Sequence, residues 1–119
     1  MHRLLKSLVE KVPDQLPTKI TSLSNMFADN LTFDQNISSW NISNIVDMSY
    51  MFYDAKKFNQ EISKWNTSKV TNMMGMFWNA KKFNQNLSAW NVEKVNNFDL
   101  FATNSGINSR SKWPKFKYH

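Results

Sequence analysis

The stretch FNQEISKWNTSKVTNMMGMFWNAKKF, residues 58–83, shows how this chain is organised. Its first half returns as FDQNISSWNISNI from Phe33 and as FNQNLSAWNVEKV from Phe83. Trp40, Trp65 and Trp90 therefore stand 25 residues apart. A fixed period of about 20–50 residues is typical of repeat proteins, whose units stack because none can bury its own apolar face. The sequence therefore predicts 25-residue copies lying side by side.

Within each copy the spacing of apolar residues predicts a short helix followed by a turn and a strand. In the best-formed copy, the residues at helical offsets are Val70, Met73, Met76, Phe77 and Ala80. Around 87–92, Trp90 and Val92 share one face by the period of two that strands follow. The predicted fold class is thus α/β: a small solenoid like that of leucine-rich repeats, with about three helix-turn-strand repeats and a parallel sheet.

Stacking of such copies places equivalent side chains about 4.8 Å apart. We therefore expect the three repeat tryptophans to form a buried column and Phe33, Phe58 and Phe83 to form a second one. A sugar-stacking platform is the alternative interpretation of the tryptophans, but their apolar neighbours favour the core. Asn41, Asn66 and Asn91 would form a polar row, each amide donating to a carbonyl of the next copy.

The chain divides into three regions. Residues 1–19 are predicted to be an N-terminal capping helix and connector, residues 20–104 to hold three full repeats and a partial fourth, and residues 105–119 to be a basic C-terminal cap or tail. The stripe that predicts the capping helix consists of Leu5, Leu8, Val9 and Val12. The caps are predicted to cover the strand edges at the two ends of the stack only in part. We therefore predict a monomer or a weak end-to-end dimer, which would pair these edges.

Composition argues against several classes of function. The chain has no cysteine, and its two histidines, His2 and His119, lie at opposite termini, so we predict no catalytic residues, no metal ligands and no cofactor. Two glycines cannot build a phosphate-binding fingerprint. No apolar run approaches the roughly 18 residues that span a bilayer, so no transmembrane segment is predicted.

Positions that differ between copies are the ones that packing does not dictate, and they are the candidates for partner contact. On the predicted strand side these are Ser39, Lys64, Ala89, Lys69 and Lys94. On the predicted helix they are Tyr53 and Trp78, which occupy the place of Ala28 in the first copy.

The repeated motif also resembles a known family. The matching residues are Phe58, Asn59, Gln60, Ile62, Ser63, Trp65, Ser68, Val70, Met73, Met76 and Phe77, together with their equivalents 25 positions away. The pattern is similar to that of the BspA-like leucine-rich repeat surface proteins, whose 25-residue unit, of unknown function, abounds in mycoplasma lipoproteins. The resemblance covers roughly residues 12–105. It implies a variable surface protein that mediates adhesion or other protein contacts and has no enzymatic activity.

The resemblance implies the cell surface, whereas the sequence shows neither a signal peptide nor a cysteine that could be lipidated, so the localisation is left open. The leading hypothesis is a non-enzymatic protein-interaction module of the adhesion type, with a protein or cell-surface macromolecule as partner. The alternative is a binder of nucleic acid or anionic surfaces, through the basic tail and the lysine pairs at 56–57 and 81–82. A structural spacer in a longer array is a third hypothesis.

Overall fold

The part of the backbone that the structure describes consists mainly of turns and irregular stretches. A computed structural model describes residues 11–107 and 109–117. Within these residues the regular elements are one turn of 3-10 helix, Arg110–Lys112, and isolated parallel bridges that join Ser22 to Asp47, Asp47 to Asn72 and Asn72 to Asn97. The prediction of an α/β solenoid with helices and a parallel sheet is therefore wrong. The predicted N-terminal capping helix lies mostly in residues 1–10, outside the described residues.

The segments predicted to be helices are chains of overlapping turns, which we call the turn segments: residues 22–30, 47–55, 72–80 and 97–105. In the second of them, Tyr53 N–H donates to Tyr50 O at 3.2 Å and Ala55 N–H donates to Phe52 O at 3.0 Å. Tyr50 and Asp54 have positive φ angles of 57° and 61°. An α-helix needs φ near about −63° at every residue, so these two positions interrupt it.

Backbone groups in the turn segments bond between copies and not along a helix. The alternate N–H groups of one turn segment donate to carbonyls of the next at 2.8–2.9 Å: Met48 to Asn72, Tyr50 to Met74, Phe52 to Met76 and Asp54 to Trp78. The same ladder links the first segment to the second and the third to the fourth. Since a buried backbone donor needs one acceptor, the ladder satisfies the groups that a helix would bond to residue i−4.

The predicted strand around residues 87–92 is also wrong. Trp90 N–H donates to Leu87 O at 3.0 Å, which closes a turn inside that stretch. The side chain of Asn91 then accepts from the backbone N–H of Glu93 at 3.0 Å. In such Asx turns the side-chain oxygen accepts from a backbone N–H that would bond to a neighbouring strand in a sheet, and the backbone bends.

Asparagine side chains link the copies at a different place from the one predicted. Asn41, Asn66 and Asn91 close turns within their own copies, so the predicted row that donates to the next copy is wrong. The link lies in the Phe-Asn-Gln motif, where Asn84 N–H donates to Asn59 Oδ1 at 2.9 Å. The Gln85 side-chain amide also donates to Asn59, at both its backbone oxygen (3.1 Å) and its side-chain oxygen (3.0 Å).

Two columns of phenyl rings form the centre of the core. The predicted column of Phe33, Phe58 and Phe83 is confirmed, with centroids 5.6 Å apart at each step. A parallel column holds Phe27, Phe52 and Phe77, spaced 5.7 and 5.4 Å apart. Rings of the two columns stack on each other within each copy at 3.8–4.2 Å. Each inner ring therefore contacts rings above, below and beside it.

The repeat tryptophans are buried, as predicted, and they are held by hydrogen bonds as well as by packing. The Trp65 and Trp90 rings stack with centroids 6.4 Å apart and an interplanar angle of 12°. Trp65 Nε1 donates to Ile37 O at 3.2 Å, and Trp90 Nε1 donates to Ile62 O at 3.0 Å. Trp40, Trp65 and Trp90 are at most 5% exposed, so these rings offer no sugar-stacking platform.

The segments that flank the repeats fold against the outer copies. On the N-terminal side, Trp40 Nε1 donates to Pro13 O at 2.9 Å. On the C-terminal side, Phe116 stacks on Phe98 with centroids 4.3 Å apart, and Trp113 meets Phe101 edge to face at 5.6 Å. These contacts cover Phe98 and Phe101 of the last turn segment, whereas Leu100 stays 40% exposed.

Candidate interaction surface

The strand-side candidates lie on the surface in two rows. Ser39, Lys64 and Ala89 occupy the same place in successive copies and all three are exposed. The second row contains Lys69 and Lys94, also exposed; Lys69 Nζ donates to the side chain of Asn44, its equivalent in the preceding copy, at 3.2 Å. All five residues lie in turns, so the surface they form consists of turns and not of a strand.

The turn segments bring Tyr53 and Trp78 together. Their ring centroids lie 4.9 Å apart with an interplanar angle of 34°, and both residues are partly exposed. Tyr50 joins them, because its ring packs edge to face against Tyr53 at 6.1 Å. We call Tyr50, Tyr53 and Trp78 the aromatic shelf. Tyr50 was not among the predicted site residues; its position three residues before Tyr53 was the available signal, since a turn brings residues i and i+3 together.

The place of Tyr50 is set by a glycine in the next copy. A Cβ atom on Gly75 would lie 2.6 Å from the Cδ1 and Cε1 atoms of the Tyr50 ring. The Tyr50 hydroxyl also reaches the sulfur of Met74 at 3.4 Å. Gly75 has φ of +60°, but Asn25 and Leu100 adopt positive φ at the equivalent positions. The special requirement for glycine at 75 is therefore the room that it leaves for the Tyr50 ring.

Gly75→Ala is expected to lower the free energy of unfolding by about 1–2 kcal/mol through the positive φ alone, with a further loss from displacing the Tyr50 ring. Urea unfolding measures the total. Tyr50→Asn gives position 50 the side chain of its equivalent Asn25. In that background Gly75→Ala displaces no ring, so the loss of unfolding free energy should be smaller than in the parent protein. An equal cost in both backgrounds would show that the tyrosine ring does not need the space above Gly75.

A row of carboxylate and amide side chains borders the shelf: Asp29, Asp54, Asn79 and Asn104, which we call the Asx row. All four have positive φ, between 58° and 63°. The Asn104 amide donates to Asn79 Oδ1 at 2.7 Å. A hydrogen bond from the Lys56 ammonium, 2.8 Å from the carboxylate of Asp54, holds the pKa of Asp54 below its usual range.

Charge is segregated between the turn segments and the rest of the chain. The four turn segments hold four aspartates, Asp29, Asp47, Asp54 and Asp99, and no lysine or arginine. All 15 basic residues of the chain therefore lie elsewhere. With nine acidic residues in total, the chain has a net charge of +6. The Asx row beside the shelf thus carries two carboxylates, those of Asp29 and Asp54, and Asp54 is paired with Lys56 at 2.8 Å.

The basic side chains cluster just beyond the turn segments and in the tail. Lys57, Lys81 and Lys82 are exposed and follow the second and third turn segments. In the tail, Lys112 Nζ donates to Asn84 Oδ1 at 3.2 Å, and the guanidinium of Arg110 lies 4.4 Å from the centroid of the Trp113 ring. Part of the predicted basic tail is thus packed against the last copy.

The described residues contain no group of three or more histidine, cysteine or acidic side chains placed to hold a metal ion. Their helical content also includes nothing long and apolar enough to cross a membrane. A groove of about 410 Å³ lies between the N-terminal connector and the first copy, lined by residues that include Gln15, Leu16, Ile20 and Asn41.

Comparison with known proteins identifies the family. Residues 5–113 match the model of a family described as "Mycoplasma protein of unknown function, DUF285". No curated protein and no solved structure gives a significant match. The matched region takes in every copy of the repeat and most of the segments that flank them. The chain therefore belongs to the DUF285 family of Mycoplasma proteins of unknown function.

Proposed function

We propose that the protein is a non-enzymatic interaction module that binds a macromolecular partner through surface positions that differ between its copies. The observation that carries the proposal is the aromatic shelf. Tyrosine and tryptophan are enriched at protein interfaces and dominate their binding energy. Here Tyr53 contacts both Tyr50 and Trp78, and all three side chains stay partly exposed.

The fold does not require aromatic residues at the shelf positions. Tyr53 and Trp78 are replaced by Ala28 in the first copy and by Thr103 in the last, although the backbone ladder is the same. By contrast, the buried phenylalanines of both columns recur in each of the three full copies. Side chains that vary over a constant core are free to serve binding, because a change there leaves packing intact.

The similarity of the repeat to BspA-like surface proteins supports a partner of the adhesion type, either a protein or another macromolecule of a cell surface. A location at the cell surface is part of this proposal. Such a module needs an exposed, adaptable face on a rigid support. The shelf on its backbone ladder has both properties.

The test compares two variants of the full chain on a panel of cell-surface and matrix proteins, using biolayer interferometry. The shelf variant combines Tyr53→Ala with Trp78→Ala, which restores the alanine of the first copy at both places. The matched control is Glu61→Asn, which copies Asn36 and Asn86 in the same way and lies outside the candidate contact residues. We expect saturable binding that the shelf variant weakens at least tenfold and the control leaves within about twofold, since interface anchors cost about 2 kcal/mol or more on truncation.

A partner that binds the shelf variant as tightly as the parent would contradict this role for the shelf. The lysine pairs favour one second candidate, binding to nucleic acid or another anionic surface. For that function, the binding affinity must fall steeply as the salt concentration rises, because about one counterion is released for each phosphate that the protein neutralises. Binding must also be lost when Lys56, Lys57, Lys81 and Lys82 are changed to glutamine. If both occur while the shelf variant binds normally, the second candidate replaces the first.

A further inference from the structure

We propose that the aromatic shelf and the Asx row together bind a cationic, arginine-rich peptide segment; this inference rests on the proposed function and names the chemistry of the partner. The site consists of partly exposed aromatic side chains beside a row that includes the carboxylates of Asp29 and Asp54. That combination fits a guanidinium group better than it fits a neutral or an anionic ligand.

The rings supply the first half of the recognition. A guanidinium within about 6 Å of an aromatic centroid is attracted by the negative face of the ring, and arginine makes this contact more often than lysine. The chain uses the same pairing internally, where Arg110 lies 4.4 Å from the centroid of Trp113. Tyr53 and Trp78 lie next to each other, with centroids 4.9 Å apart, and both are partly exposed.

The carboxylates supply the second half. Asp29 is exposed, and Asp54 lies one copy further along the same row, partly exposed and paired with Lys56 at 2.8 Å. An ionised carboxylate offers acceptors only, and arginine can satisfy two of them at once through parallel N–H donors. An incoming arginine would compete with Lys56 for Asp54 and would also reach the neighbouring carboxylate of Asp29.

The charge distribution selects against the other partners. An anionic chain approaching the shelf meets the exposed carboxylate of Asp29, whereas the Lys56 ammonium is already paired with Asp54 at 2.8 Å. A neutral glycan would stack on the rings but would gain nothing from the carboxylate charge. Because the whole chain carries +6, long-range repulsion opposes a cationic peptide. Saturable binding of such a peptide must therefore come from a local site.

The experiment uses the full chain and three fluorescently labelled peptides of equal length, in which glycine alternates with arginine, with lysine or with glutamine. Fluorescence anisotropy at two salt concentrations measures the affinities. We expect the arginine peptide to bind most tightly, the lysine peptide more weakly and the glutamine peptide least. Each ring should contribute about two- to fivefold, so the Tyr53→Ala/Trp78→Ala variant should weaken binding of the arginine peptide about tenfold.

Replacements taken from other copies of the same chain keep the test independent of folding. Asp54→Asn reproduces Asn79 and should weaken the arginine peptide severalfold, with little effect on the glutamine peptide. Glu61→Asn, which reproduces Asn36 and Asn86 outside the Asx row and removes the same charge as Asp54→Asn, should change its affinity by less than twofold. Unchanged urea midpoints for all variants show that the fold is retained.

Three outcomes would overturn the inference: no saturable binding of the arginine peptide, equal affinity for the glutamine peptide, or binding that survives loss of both rings. A neutral oligosaccharide that displaces the arginine peptide and binds with an affinity independent of Asp54→Asn would also overturn it, in favour of a glycan site. If a protein partner binds at the shelf but the arginine peptide does not, this inference fails and the proposed function stands.

Discussion

Replacing Phe58 with alanine is expected to lower the free energy of unfolding by about 3–5 kcal/mol. The Phe58 ring is fully buried and has ring neighbours on three sides: Phe33 and Phe83 at 5.6 Å and Phe52 at 4.0 Å. Alanine would leave a cavity in the middle of both columns, and the backbone ladder would oppose its collapse. Because a small domain has about 5–15 kcal/mol of stability, this one change should remove a large part of it.

Urea unfolding followed by tryptophan fluorescence measures the effect, since a chain made of turns gives little far-ultraviolet helical signal. Leu31→Ala is the matched control: Leu31 is 55% exposed, so its truncation should cost no more than about 0.5 kcal/mol. A loss below about 1 kcal/mol for Phe58→Ala would mean that the columns do not carry the core.

Trp65→Ala should have a comparable effect, again about 3–5 kcal/mol, because it removes a buried indole from the middle copy. It also removes the donor that serves the carbonyl of Ile37 at 3.2 Å and the ring that stacks on Trp90 at 6.4 Å. Trp65→Phe separates these contributions. The phenyl ring keeps most of the apolar burial but loses the indole donor. The Ile37 carbonyl still accepts from the Trp40 backbone N–H at 3.2 Å, so the lost hydrogen bond should cost about 0.5–1.5 kcal/mol.

Calorimetry or urea unfolding measures the loss of stability in both variants. Trp78→Ala is the comparison, because Trp78 is only partly buried and its equivalent in the first copy is alanine. We expect Trp65→Ala to be the most damaging, Trp65→Phe intermediate and Trp78→Ala the mildest. Equal losses for Trp65→Ala and Trp78→Ala would contradict the burial of the repeat tryptophans.

Sequence reasoning predicts which residues are buried here but not the local backbone. Met73, Met76, Phe77 and Ala80 are all buried, as their helical spacing predicts. A chain of overlapping turns, however, returns apolar side chains to the core at similar intervals, so spacing alone does not separate it from a helix. The separating signal is the Asp or Asn at the equivalent of Asn79 in each copy, because these residue types tolerate the left-handed conformation.

The strand prediction fails for a related reason. Leu87, Trp90 and Val92 are buried, but the asparagines before and between them accept from the backbone two residues on and bend it. The candidate surface follows the same division. The 25-residue register correctly implies that Tyr53 and Trp78 are neighbours. The place of Tyr50 in the aromatic shelf depends on its positive φ and on the space above Gly75. Hydrophobic periodicity predicts neither of these features.

The aromatic shelf is assembled from two consecutive copies, with Tyr53 contributed by one and Trp78 by the next. Duplication or loss of a whole 25-residue cassette preserves the backbone ladder and both phenyl columns, whereas a slip of any other length breaks them. Excising residues 46–70 would join Ile45 directly to Thr71 in the correct register, yet it would delete both shelf tyrosines. Gain or loss of one whole cassette would therefore rebuild or remove the shelf while the remaining cassettes keep their packing.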